Sequence, residues 1–443
     1  MHIGAYKKMP QKDVIFSNKH PREMYLLALT EMCQRFAYWG IGNLLVLFLV
    51  KYFQYDTPRA THIFGAYTGI AFILPVLGGF IADKWNYKSP IFLGMLLTTI
   101  GCILLATLNH FLILPALAFI AFGGGLFTPA IYSLLGSVYS NKQHLREGGF
   151  SIYYSTVNIG IFIAMIVLGY LQTIDWRWVF FLSAVVQLLG IIPYRLALKK
   201  LKSIEVPSHY FVSKKEDPHH FKLKRYEVER IIVILIMTFI SIVFWMAYNQ
   251  AGSSMTLFAL NYTDRHFGGF EIPTPWFIST ETFFLILFAF PLAKLYLFLR
   301  RIRSPASPPM KTALSLFFMG LCFLVMQRAA QHIPHGAQDA LISPYYLIFS
   351  FALMSLAELF LAPIGLSLVT NLSPHRYRGL LTGVWFTCIG IGFYLGGYLA
   401  GLIAKISLSS FFDIFVFTSF IPAFILVIFA KKLDNMRHID SLG

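Results

Sequence analysis

A chain of 443 residues that is 57% hydrophobic and only 13% charged departs from water-soluble domains, in which about 25% of residues are charged. Its 44 Phe and 23 Tyr exceed what a soluble core hides, which excludes a string of soluble domains and makes this an integral membrane protein. The formal net charge of +16 does not require a nucleic-acid partner, because most basic residues fall between hydrophobic stretches, where anionic lipid headgroups hold them.

The first 20 or so residues are polar and basic, without the apolar core and small-residue cleavage site of a secretory signal peptide. Runs of about 20 apolar residues read as spanning helices. Twelve follow in order, at 24–50, 60–82, 89–108, 112–137, 149–171, 176–195, 229–259, 275–299, 311–330, 344–370, 379–404 and 410–430; they are spans 1 to 12 below. Connections are short except at 196–228, a polar, Lys-rich stretch. The expected domains are a six-helix bundle at 1–195, a linker at 196–228 and a second six-helix bundle at 229–443. Of the 36 Lys and Arg, six lie at the end opposite the termini, and Arg35 and Lys294 lie within spans. The positive-inside rule then places both termini and the linker in the cytoplasm. Two pseudo-symmetric halves of six helices are the plan of the major facilitator superfamily, an all-α transmembrane fold in which a central cavity alternates between the two sides.

A charge at the centre of a span costs roughly 2.5–3.5 kcal/mol on insertion scales, so each is a candidate functional group. Glu31 and Arg35 in span 1 are spaced i,i+4 and share a face, with Gln34 and Tyr38 expected on the same polar stripe. Glu281 lies in span 8, and Glu358 in span 10 has no basic residue within a turn. Lys294 is near enough to a helix end to snorkel. Two carboxylates and one guanidinium around a wet cavity suit a zwitterion: an ammonium meets Glu, and a carboxylate meets the Arg fork. Cys33, Cys102, Cys322 and Cys388 have no CxxC spacing, so neither metal nor disulfide is expected. HExxH, GxSxG and P-loop patterns are absent from the sequence, which argues against an enzyme.

The segment "EMCQRFAYWG" at 31–40 resembles the ExxERFxYYG motif of the proton-dependent oligopeptide transporters, a family within that superfamily. Five further stretches are similar to the family's patterns in the correct order: "PVLGGFIAD" (75–83), "FSIYYSTVNIG" (150–160), "FWMAYNQAGSSMTLFA" (244–259), "SLAELFLAPIGLSLV" (355–369) and "GLLTGVWFTCIGIGFYLGGYLA". The resemblance implies that Glu358 receives a peptide's amino terminus, that Asn158 hydrogen-bonds the peptide, and that Arg35 couples protons and meets the carboxylate end. It also implies that Tyr38, Trp245, Tyr153 and Tyr154 line the site.

Several positions depart from the pattern. Gln34 replaces the second motif Glu, Thr128 stands where the family has a span-4 lysine, and Asn249 replaces a span-7 Glu; Glu281 stands where Asn is usual. Three titratable positions are thus neutral together, which avoids leaving one buried charge unpaired at roughly 3–5 kcal/mol. The family's two extra helices, common in bacterial members, do not fit in 196–228, and His62 is out of register with a histidine of some relatives.

The expected function is import of di- and tripeptides by a monomer in the bacterial inner membrane. Protons are the coupling ion, Glu31, Arg35, Glu281 and Glu358 are candidates for the coupling group, and no other cofactor is expected. Transport of another amine-bearing or zwitterionic solute, and a non-transporting sensor, stay open as alternatives.

Overall fold

The computed structural model describes residues 20–140, 142–201, 223–301, 307–333 and 342–438. Most of the expected linker, at 202–222, therefore lies outside the described residues. Among those described, twelve helices are long and apolar enough to cross a membrane. They are α1 (Arg22–Lys51), α2 (Thr57–Trp85), α3 (Lys88–Ala106), α4 (Ile113–Val138), α5 (Gln143–Ile174) and α6 (Trp176–Lys200) in the first half. The second half holds α7 (Arg225–Asn261), α8 (Pro275–Arg301), α9 (Pro308–Gln331), α10 (Tyr345–Leu372), α11 (Arg378–Ala400) and α12 (Leu408–Asn435). Each corresponds to one span read from hydropathy, with ends displaced by a few residues.

Helices prevail because a backbone polar group unpaired in hydrocarbon costs several kcal/mol, and a helix pairs them all internally. α7 is the exception with a purpose. It tightens into a 3-10 turn at Asn249–Gly252 before resuming at Ser254–Asn261. Gln250 fills the break, donating to Met246 O at 3.1 Å and to Gly396 O of α11 at 2.9 Å. A two-stranded hairpin, β1 (His266–Phe267) with β2 (Phe270–Glu271), connects α7 to α8.

Buried side chains fall into separate clusters for the two halves. One runs from Val233 to Leu433 with Met165 as its only first-half member, and two others cover the first half with Leu257 added. Each half is therefore a packed body that can move as a unit. They meet at the end of the bundle away from Arg22 and Asn435, where α2 crosses α11. A Cβ on Gly65 would stand 2.8 Å from Gly397 Cα, and one on Gly69 would stand 2.9 Å from Gly390 O. Only glycine permits backbones this close. The rings of His62 and Tyr398 stack at 4.8 Å beside that crossing. Two hydrogen bonds tie the halves at the same end: Asn249 Nδ2 donates to Thr68 Oγ1 at 3.1 Å, and Trp276 Nε1 of α8 donates to Ile166 O of α5 at 3.0 Å.

Candidate functional site

Arg35 is positioned from its own helix. Its Nε donates to Glu31 Oε1 at 2.7 Å, and its Nη2 donates to Thr128 Oγ1 of α4 at 3.2 Å. Glu31 is fully buried and Arg35 is 9% exposed. The pair has two further neighbours: Tyr153 of α5 faces Glu31, and Tyr132 of α4 faces Arg35. Thr128 thus serves Arg35 as a neutral acceptor, and Tyr132 lies one turn further along α4.

Gln34 does not share this stripe, contrary to the expectation from spacing. It sits about 100° around the helix from Arg35, one residue step, and turns away toward α3 and α6. Its amide donates to Thr98 Oγ1 at 3.3 Å and accepts from Gln187 Nε2. Where a carboxylate would be buried without a cation, a neutral amide finds a donor and an acceptor. Tyr38 is on the Arg35 side and is 4% exposed, its ring lodged where a side chain on Gly124 would be.

The second half contributes a separate group. Glu281 of α8 and Glu358 of α10 face one another. Tyr248 of α7 donates to Glu281 Oε1 at 3.5 Å and also faces Glu358, and Thr282 donates to Glu281 Oε2 at 3.1 Å. The α8 backbone is held against α10 by Ser355, whose hydroxyl donates to Glu281 O at 2.6 Å. Two carboxylates facing each other repel when both are ionised, so the pair suits a cation. Among the described residues, no Lys, Arg or His is ion-paired with either acid.

Tyr154 of α5 lies between the two groups: it is 43% exposed and interacts electrostatically with Glu358, Glu281 and Tyr132. Asn158, one turn on, is 7% exposed and donates to Tyr154 O at 2.9 Å. Trp245 is 8% exposed and packs against Tyr248 at 5.5 Å, Phe393 at 5.6 Å and Phe72 at 6.2 Å between ring centroids. It is a buried wall behind the acids, its indole N–H without an acceptor among the described residues.

Known proteins share this arrangement of the chain. The family model for the POT family, PTR2, matches residues 88–214 and 197–416. The chain belongs to the POT family. It is 29% identical over 450 residues to the peptide transporter YePEPT of Yersinia enterocolitica, covering 86% of this chain and 88% of the relative. It is 25% identical over 494 residues to dipeptide and tripeptide permease A of Salmonella typhimurium, covering 99% and 97%. Among solved structures, a peptide transporter POT in complex with sulfate superimposes with a TM-score of 0.85 at 24% identity, covering 94% of this chain and 96% of that one. A POT family transporter in complex with 5-aminolevulinic acid gives 0.84 at 21%, covering 94% and 97%.

For this POT protein the structure gathers Glu281, Glu358 and Tyr154 in one place and Glu31 and Arg35 in another, with Tyr154 spanning the interval through Tyr132. Asn158, Tyr38 and Trp245 stand around them, the latter two as buried walls. Sequence reading did not single out Tyr248 or Tyr132. Both carried a signal: Tyr132 is i,i+4 from Thr128, and Tyr248 is three residues beyond Trp245, so each pair shares a helical face.

Proposed function

We propose that this protein imports di- and tripeptides by rocking of its two halves, with protons as the coupling ion and no organic cofactor. The observation that carries the reading is the division of charge: a carboxyl pair, Glu281 and Glu358, on one half and Arg35, a guanidinium midway along α1, on the other. A peptide ammonium docks at Glu358 and its carboxylate end lies toward Arg35. The Tyr154 ring stands between them and tolerates side chains of varied size. The relatives, a peptide transporter and a dipeptide and tripeptide permease, support this substrate class. Proton coupling then falls to the carboxyls that remain, Glu31, Glu281 and Glu358.

The protein works as a monomer in the bacterial inner membrane, with both termini in the cytoplasm on the strength of its basic loops. In that orientation the joined end is the outer one, so the state described here faces inward. It is a transporter and not an enzyme. The experiment is dipeptide uptake into proteoliposomes with and without an inward proton gradient, for the wild type beside Glu358→Gln. Gradient-stimulated uptake that falls in the variant at a fixed, low dipeptide concentration is the expected result. Equal rates with and without the gradient would retire the coupling claim, and no uptake would retire the substrate.

A further inference from the structure

The central charges do not balance, and the imbalance selects among substrates. Glu31 meets Arg35 at 2.7 Å, so that pair contributes no net charge. The other group on Arg35 is the neutral hydroxyl of Thr128, which accepts a hydrogen bond from it. The half that would attract a substrate carboxylate is therefore weakly positive at most. On the other half, Glu281 and Glu358 face each other with no cation of the described protein paired to them. Glu358 Oε2 is buried with no hydrogen-bond donor among the described residues. The ionisable groups around the two acids are Tyr248 from α7 and Tyr154 from α5, which are neutral at physiological pH. Behind Tyr248 stand the rings of Trp245 and Phe393, π faces of the kind that favour a cation.

We propose that this transporter selects substrates carrying two positive charges, peptides with a Lys or Arg side chain beside the free amino terminus, and that Glu281 is the residue that confers the preference. This rests on the peptide reading above. A neutral dipeptide brings one ammonium, which one carboxylate answers while the other stays protonated. A basic dipeptide brings two cations: both carboxyls ionise, and the proton passes to bulk water. An acidic side chain has no cation to meet and is repelled by the pair. Specificity of this sort arises as much from the repulsive element as from the attractive one.

The test is uptake of Ala-Ala, Ala-Lys and Ala-Glu by the full-length protein in proteoliposomes, with the half-saturating concentration of each measured. The expected result is that Ala-Lys saturates at a concentration about tenfold below Ala-Ala, one further charge contact, with Ala-Glu weakest. Glu281→Gln, which keeps the side-chain shape, is expected to bring the half-saturating concentrations of Ala-Lys and Ala-Ala together, whatever it does to the maximal rate. A wild type that takes Ala-Ala and Ala-Lys alike overturns the inference and leaves the peptide reading standing, as does a Gln variant that keeps the ranking. Entry of none of the three overturns both. Should Glu281→Gln fold poorly, the wild-type ranking decides alone.

Discussion

Arg35→Gln isolates the energetic consequence of the Glu31–Arg35 pair. Glu31 has no exposed surface, and its Oε2 has no hydrogen-bond donor among the described residues. Removing the guanidinium leaves a carboxylate with no counter-charge in a dry site, which costs about 3–5 kcal/mol. Glu31→Gln strands Arg35, but less severely, because Arg35 is 9% exposed and retains Thr128. The double variant Glu31→Gln/Arg35→Gln removes both charges and leaves two amides able to pair. Its loss is expected to fall short of the sum of the singles by about 2–3 kcal/mol, the upper range for contacting residues. Reversible unfolding by SDS in bicelles, followed through tryptophan fluorescence, measures all four proteins of the cycle. Singles that add to within about 0.5 kcal/mol would refute the reasoning, since independent sites behave that way. So would an Arg35→Gln cost under about 1 kcal/mol, the range of solvated pairs.

Other outcomes follow from the same structure. Glu358→Gln keeps shape but loses the charge that an ammonium meets, so the half-saturating concentration for a dipeptide should rise about 10- to 100-fold, equivalent to about 1.5–3 kcal/mol; an unchanged value places the ammonium elsewhere. Gly397→Ala puts a methyl 2.3 Å from Gly65 Cα, so the joined end should spread. A Thr68→Cys reporter should then react faster with a membrane-impermeant maleimide, and unaltered labelling would show that the helices absorb the methyl. Trp276→Phe removes the bond to Ile166 O between the halves, worth about 1 kcal/mol. The distance between spin labels across that end should therefore shift toward the open population by about fivefold, and an identical distribution would mean that the bond does not hold the state. Gln187→Leu leaves the Gln34 carbonyl without its donor and should destabilise by about 1–3 kcal/mol, whereas Gln34→Leu/Gln187→Leu should recover most of the loss in the same SDS titration. Failure to recover would exclude a paired amide.

Twelve apolar runs, their order and the separation into six and six were legible along the chain, because a lipid environment demands about 20 apolar residues per span whatever the span's neighbours. Glu31, Arg35, Glu281 and Glu358 stood out for the same reason: hydrocarbon makes a charge conspicuous wherever it falls. The i,i+4 pairing of Glu31 with Arg35 is local helix geometry and was readable at once. What local periodicity could not supply was the partner on another helix. Gln34 lies near the Arg35 face by spacing, yet it is claimed by Thr98 and Gln187, which are remote in sequence. Glu281 and Glu358 are on α8 and α10, and nothing in either stretch records that their carboxyls meet beneath Tyr248. The joint between halves is likewise a product of packing, since glycines of α2 and α11 become meaningful only where the two helices cross. Composition and spacing therefore determined the solvent, the topology and the candidate charges. Only the tertiary structure decided which charges cancel, which confront each other and which end of the bundle is joined, because pairing between helices depends on their rotation and tilt, quantities that no single helix encodes.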